Sequence, residues 1–172
     1  GEPFAPALGT IERGLSRMSP SRPLVRLLGW EAMVHLVAQT PESMARARDI
    51  SAQAIAMADE IDCGGAGFPH VIHGRALVSL GDESGLDELE RWLDDVERHE
   101  PSSAALGAWQ WWAGAVHHWR GSLAEWKARE RLAYLAESRG LGFLYSMGVS
   151  EHVRVLWELG RWRECVAEAY EV

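Results

Sequence analysis

Apolar residues recur along this chain at the spacing of an α-helix and almost nowhere at the spacing of a β-strand. In residues 23–39 the apolar side chains stand at helical spacings, at Leu24, Leu27, Leu28, Val34 and Val37. This pattern predicts a helix that buries one face. No stretch shows the Val/Ile/Thr alternation bounded by turn residues that is typical of a half-buried strand. The pattern therefore predicts an all-α fold.

The same spacing, together with helix start signals, predicts about nine helices joined by short turns. Thr40 is the predicted N-cap of the third helix, with Pro41 at the first helical position, where its missing N–H has no partner to lose. Residues 63–67, CGGAG, are predicted to form a loop. In the fifth helix one apolar stripe consists of Leu86, Leu89, Leu93 and Val96. The predicted helices cover roughly 7–18, 23–39, 40–60, 69–80, 86–99, 104–119, 122–138, 142–158 and 161 onward.

The predicted helices recur in pairs. When the turns into every second helix are aligned, the first two apolar residues after each turn are Met44/Ala47, Leu86/Leu89, Leu123/Trp126 and Trp162/Cys165. The first members of these pairs follow at steps of 42, 37 and 39 residues. A repeated helical hairpin is typical of an α-solenoid, in which neighbouring hairpins bury each other's apolar faces. We therefore expect one domain over residues 1–172, a right-handed superhelix of about four hairpins with a ninth helix at one end.

Residues 159–162, LGRW, are predicted to form the turn inside one such hairpin. Gly160 lets the backbone reverse without the steric penalty of a Cβ. Trp162 is predicted to fill the wedge between the two helices of its own hairpin. Its truncation to alanine is then expected to cost about 3–5 kcal/mol.

Composition narrows the classes of function. Asp and Glu number 25 against 17 Lys and Arg, for a net charge of -8. So acidic a surface repels phosphate backbones and argues against nucleic-acid binding. The apolar runs are far shorter than the roughly 20 residues of a membrane span, and no apolar segment follows a basic start as in a signal peptide. Cys63 and Cys165 stand in unrelated contexts, which favours free thiols and a cytoplasmic location.

Four histidines are candidates for metal chemistry by residue type. His70 and His73 are three residues apart and could share a helix face near Cys63, but no second organised pair of ligands accompanies them. Ordinary histidines at a helix start are the alternative. His117 and His118 are adjacent and point about 100° apart on a helix, so they cannot chelate one ion together. No metal site is predicted.

The sequence shows no set of residues arranged for catalysis. The acidic pairs Asp87/Glu88 and Asp94/Asp95 are predicted to lie on a solvated helix face. No Ser, Cys or Lys is paired with a base in a recognisable motif. We therefore predict neither a catalytic residue nor a cofactor.

The nine tryptophans are the unusual feature of the composition. On the helix that carries WQWWAGAVHHW, one face holds Trp109, Trp112, Val116 and Trp119, and the opposite face holds Trp111, Ala115 and His118. A helix that is apolar on both sides is buried on both, so core packing accounts for most of these rings. The predicted exception is Trp111 with His118, which stack two turns apart and would bind a ligand or partner if they face a concave groove. The alternative is that Trp111 packs against the adjacent repeat and His118 caps the helix end.

Three segments resemble a known class of helical arrays: LVSLGDESGLDELERWLDDVE, HHWRGSLAEWKARERLAYLAESRGL and VLWELGRWRECVAEA. They are similar to the tetratricopeptide-like (maltose-activator-like) C-terminal arrays of large bacterial signalling proteins. Those proteins carry a P-loop ATPase module, often behind a class III nucleotide cyclase domain or ahead of a LuxR-type DNA-binding domain. The resemblance covers about residues 24–172. The period near 40 is longer than the roughly 34 residues of a standard tetratricopeptide repeat.

The resemblance implies the sensor or scaffold part of such a protein. Neither a Walker A segment nor a cyclase metal-binding motif is present here, so the catalytic parts of the class are not expected in this chain. The chain starts within a repeat and stops within a helix at AEAYEV, which suggests an excised fragment. We therefore expect a non-catalytic interaction or ligand-sensing module of a signalling or transcription-regulatory ATPase or cyclase. It would bind a protein or small molecule in a concave groove and so shift the orientation of attached domains. A stand-alone small-molecule or peptide-binding repeat protein is the alternative.

Overall fold

The computed structural model describes residues 5–15, 17–63, 66–99, 102–138, 140 and 142–170, and the side chains of these except at 5, 7, 102–106, 117, 118 and 142–149. Within these ranges the chain forms nine α-helices and no strand, which confirms the predicted all-α class. The helices are α1 (Ala5–Leu15), α2 (Arg22–Ala38), α3 (Pro41–Glu60), α4 (Gly67–Ser79), α5 (Ser84–His99), α6 (Ser102–Arg120), α7 (Ser122–Ser138), α8 (Gly142–Glu158) and α9 (Trp162–Ala169). These bounds lie within a few residues of the predicted ones.

The start of α3 has the predicted cap. The Thr40 hydroxyl accepts a hydrogen bond from the Ser43 backbone N–H at 3.2 Å, and the Ser43 hydroxyl accepts one from the Thr40 N–H at 2.9 Å. This reciprocal arrangement satisfies two N–H groups that the first turn leaves without a helical partner. Pro41 occupies the first helical position, as predicted.

The chain divides into two compact units, Gly1–Glu100 and Pro101–Val172. Within the first unit α2 packs against α3, α4 packs against α5, and α2 and α3 both contact α4. The rings of Trp30 and Phe68, 5.0 Å apart, contribute to the contact of α2 with α4. The predicted stripe of α5 is confirmed, since its members, Leu86, Leu89, Leu93 and Val96, are at most 2% exposed. The single repeat domain over residues 1–172 stays a prediction.

A pair of glycines brings α4 and α5 into backbone contact. A Cβ placed on Gly74 would lie 2.8 Å from the carbonyl oxygen of Gly85, and one placed on Gly85 would meet the carbonyl oxygen of Gly74 even more closely. No other residue type fits at such an approach without moving the backbone. The two glycines therefore set how closely the hairpin of α4 and α5 closes.

In the second unit α6 packs against α7, α7 against α8 and α8 against α9. Leu132, Leu135 and Ala136 of α7 form a core cluster with the half-buried Trp109 of α6. The middle of helix α6 is buried on two sides, as predicted, because Trp112 and Val116 are 7% and 0% exposed and Ala115, on the other side, is 2% exposed. The prediction was wrong for Trp119 of the same stripe, which is 38% exposed.

Trp162 does not fill a wedge, and that prediction was wrong. Its side chain is 62% exposed, and among the described rings it contacts the similarly exposed Trp157, with centroids 6.0 Å apart. The inward side of α9 is instead set by Cys165, 7% exposed, and by Glu168, whose carboxylate lies 2.7 Å from His152 Nδ1 of α8. These contacts turn Trp162 outward, so truncating it leaves no cavity and is expected to cost less than about 1 kcal/mol.

The turn between α8 and α9 has the predicted backbone geometry. Gly160 adopts a φ of 72°, in the left-handed region that favours glycine.

Both Cys63 and Cys165 are free thiols. Of the helices in the described residues, none is long and apolar enough to cross a membrane.

Candidate functional site

A groove of about 470 Å³ opens between the first three helices of the first unit. We call it the α1–α3 groove, and its lining consists of Leu15 from α1, of Leu24, Leu28 and Glu31 from α2, and of Arg46, Asp49, Ile50, Gln53 and Met57 from α3. Its volume falls in the range of roughly 300–1,000 Å³ that small-molecule sites occupy. The groove thus combines a suitable size with both apolar and polar walls.

Helical periodicity on α2 and α3 builds the groove. Leu24, Leu28 and Glu31 follow at steps of four and three residues, which places them on one face of α2. The groove residues of α3 follow at steps of three, one, three and four residues and also share one helix face, at Arg46, Asp49, Ile50, Gln53 and Met57. The leucines of α2 are nearly buried, at 6% and 5% exposed, and form an apolar floor with the half-buried Ile50 and Met57. On α3 the charged and amide groups alternate with the apolar ones, and on α2 Glu31 follows the leucines.

Glu31 is the half-buried carboxylate of the groove. Burial, with a further contribution from the charge of Glu12, raises the pKa of Glu31 above its usual value, and Arg46 opposes that rise. No described residue forms a hydrogen bond or ion pair with the Glu31 carboxylate. Asp49, on the rim, is already paired with Arg48 at 2.7 Å. Glu31 is therefore the acidic group in the groove whose charge is least compensated by direct contacts.

The predicted binding residues of α6 are only partly described. Trp111 is half-buried, which agrees both with the predicted binding role and with packing against an adjacent repeat. The side chain of His118 lies outside the described residues. Trp111 is not among the described residues that line the α1–α3 groove. Trp111 and His118 stay predictions.

His70 and His73 share one carboxylate. The Nδ1 atoms of His70 and His73 lie 2.8 and 2.7 Å from the two oxygens of Glu88. Because an ionised carboxylate only accepts hydrogen bonds, both Nδ1 atoms donate to it. The ring of His70 also stacks on that of Trp92, with centroids 4.1 Å apart and planes 7° apart. In the described part of the chain no group of three or more His, Cys, Asp or Glu side chains is placed to hold a metal ion.

The prediction that Glu88 lies on a solvated face of α5 was wrong. Its side chain is 18% exposed, whereas Asp87, its sequence neighbour, is exposed. Burial by itself raises the pKa of Glu88, but the hydrogen bonds and charges of His70 and His73 outweigh burial and lower that pKa to about 2. The cluster therefore holds α4 to α5 through an ionised carboxylate, and its contacts are structural.

A buried ionic network in the second unit has no counterpart in the predictions. Glu125 of α7 is 0% exposed, and its Oε1 accepts hydrogen bonds from Arg129 at 3.1 Å and from Arg154 of α8 at 2.6 Å. Arg129 is 3% exposed and also donates to Gln110 of α6 at 2.7 Å. Partners on three helices are what make buried charges tolerable. The network therefore joins α6, α7 and α8.

The α1–α3 groove carries groups suited to recognising a ligand. An apolar floor takes up hydrocarbon, and a partly desolvated carboxylate favours a positive or hydrogen-bond-donating group. The nine described lining residues include two carboxylates, Glu31 and Asp49, and no Ser, Cys, His or Lys. Comparisons of this chain with protein-family models, with curated proteins and with solved structures give no match.

Proposed function

We propose that this chain is a non-catalytic, ligand-sensing helical repeat module, and that the α1–α3 groove is its binding site. The observation that supports this most is the groove itself, with the apolar floor of Leu24 and Leu28 beside the half-buried Glu31. The ligand is a small molecule with an apolar body, because about 470 Å³ accommodates a small molecule better than a helix of a partner protein.

The repeat architecture is part of the same proposal. Pairs of consecutive helices, α2 with α3, α4 with α5, α6 with α7 and α8 with α9, pack as hairpins along the chain. The contact of α2 with α4 joins the first helices of two successive hairpins, as stacked repeats do. These contacts support our proposal that the chain is a right-handed α-solenoid, similar to the tetratricopeptide-like arrays of bacterial signalling ATPases and cyclases. In that setting the module is cytoplasmic and regulates catalytic domains that it does not itself contain.

Ligand binding would act through the packing of α1. The groove takes Leu15 from α1 and all its other residues from α2 and α3. A ligand that contacts all three helices stabilises the arrangement in which α1 lies on the hairpin of α2 and α3. Domains attached to the array would respond to that change in population.

Binding of a neutral apolar probe tests this function. We expect hexanol to give saturable amide shifts in NMR spectra, concentrated in α2 and α3. Gln53→Trp, which puts a large ring at the exposed rim of the groove, should abolish these shifts. Ala52→Trp is the matched control, because Ala52 is also exposed on α3 but does not line the groove. The absence of saturable shifts, or shifts that persist unchanged in Gln53→Trp, would contradict the proposal.

A further inference from the structure

The two carboxylates that line the α1–α3 groove differ in whether a cation is paired with them. Asp49 is bridged by Arg48, and its charge is accordingly screened. Glu31 has no such bridge among the described residues, although it is half-buried against the apolar floor. A carboxylate that is partly removed from water without a paired cation is destabilised until a donor or cation meets it.

Charges from the two neighbouring helices, α1 and α3, act on Glu31. Glu12 of α1 is close enough to repel a negative charge on Glu31, and Arg46 of α3 attracts it. Arg46 is exposed, so water screens its guanidinium more than it screens the half-buried carboxylate. Two carboxylates and one solvated guanidinium leave a local excess of negative charge at the mouth of an apolar groove.

We infer that the ligand of the α1–α3 groove is a small organic cation, a molecule with an ammonium group and an apolar body. The ammonium group lies against the Glu31 carboxylate, and the hydrocarbon lies on Leu24, Leu28 and Ile50. A charge-assisted hydrogen bond from nitrogen to Glu31 is stronger than a neutral one and is made in a partly desolvated place. An anionic ligand of the same shape meets the same carboxylate and is rejected. This inference rests on the proposed function, since it names the ligand class of the same groove.

Three probes of one hydrocarbon length separate charge from shape. Calorimetric titration with hexylammonium, hexanol and hexanoate should give affinities in that descending order. Glu31→Gln should weaken the affinity for hexylammonium by about 10-fold, which is the usual effect of losing a hydrogen bond to a charged group. The affinity for hexanol should stay nearly unchanged. Added salt should reduce the preference for hexylammonium in the wild type and have little effect in Glu31→Gln.

Two further variants serve as controls. Asp59→Asn removes an exposed carboxylate about 200° around α3 from the groove residue Met57 and should not change any affinity. Arg46→Gln removes the competing cation and should strengthen hexylammonium binding. If hexanol binds but hexylammonium binds no better, or if Glu31→Gln leaves hexylammonium affinity unchanged, the cation inference is wrong while the groove function stands. If none of the three probes binds the wild type, the proposed function itself is wrong.

Discussion

At the scale of single residues, Glu88 differs clearly from the solvent-exposed carboxylate that the sequence predicts. Its carboxylate accepts hydrogen bonds from both His70 and His73, at 2.8 and 2.7 Å. A folded-state pKa of about 2, against an ordinary value of 4.5, means that the ionised form is favoured by folding. This contribution to stability is fully present above pH 4.5 and is lost as the pH falls through the folded pKa.

Glu88→Gln therefore should be destabilising near neutral pH and progressively less so in acid. In urea titrations, the difference in unfolding free energy between wild type and variant should be constant above about pH 5 and shrink between the ordinary pKa of 4.5 and the folded value near 2. Glu83→Gln is the control, because Glu83 is an exposed carboxylate just before the same helix. A difference that does not change with pH across this interval would show that the carboxylate's charge is not what joins the two helices.

Sequence patterns indicated which residues are apolar and where helices begin, but not the partners of buried polar groups. His70 and His73 were recognised as a pair on one helix face, yet the carboxylate that they share is 15 residues from His73 along the chain. Glu125 and Arg129 carried a signal that could have been used. They fall on the same helical stripe as the buried Ala128, Leu132 and Leu135, and charges on a buried stripe at a spacing of four indicate an internal ion pair.

At the scale of elements, the crossing of α4 and α5 depends on Gly74 and Gly85. Gly74→Ala places a Cβ about 2.8 Å from the Gly85 carbonyl oxygen and about 3.0 Å from the Leu89 backbone nitrogen. Because both contacts are to backbone, they cannot be relieved by a rotamer change. We expect the substitution to lower the unfolding free energy by at least about 2 kcal/mol in a urea titration.

Gly114→Ala is the matched control for this crossing. Gly114 is exposed in α6, and a Cβ there would meet no heavy atom of the described residues within 4 Å outside its own helix backbone. Alanine should stabilise that helix by up to about 1 kcal/mol through its higher helix propensity. Equal effects at the two positions would mean that α4 and α5 are not held in backbone contact.

Helix bounds were predictable because their causes are local, as the capping box of Thr40 and Ser43 shows. The orientation of a helix about its own axis was predictable only where one apolar stripe dominates, as on α5. Helix α9 has apolar residues on more than one side, and its packing against α8 determines which of them are buried. Cys165 and Glu168 face α8, and Trp162 and Val166 are 62% and 55% exposed.

At the scale of the whole molecule, the candidate site depends on how helices meet rather than on any motif. Leu24 and Leu28 were predicted to form the apolar face of α2, and Glu31 simply continues that face by three residues. The groove exists because α1 and α3 approach this face without filling it, which periodicity within one helix cannot indicate. The predicted residues Trp111 and His118 came from the composition of one helix, and for the same reason their surroundings could not be derived.

The most direct test of ligand binding in the α1–α3 groove is to locate a bound probe by intermolecular nuclear Overhauser effects. With hexylammonium at saturation, its terminal methyl and methylene protons should show contacts to the methyl groups of Leu24, Leu28, Ile50 and Met57. They should show none to Leu132 or Val155, which are buried in the second unit. Contacts to methyl groups of the second unit instead, or no intermolecular contact at saturating probe, would contradict the account.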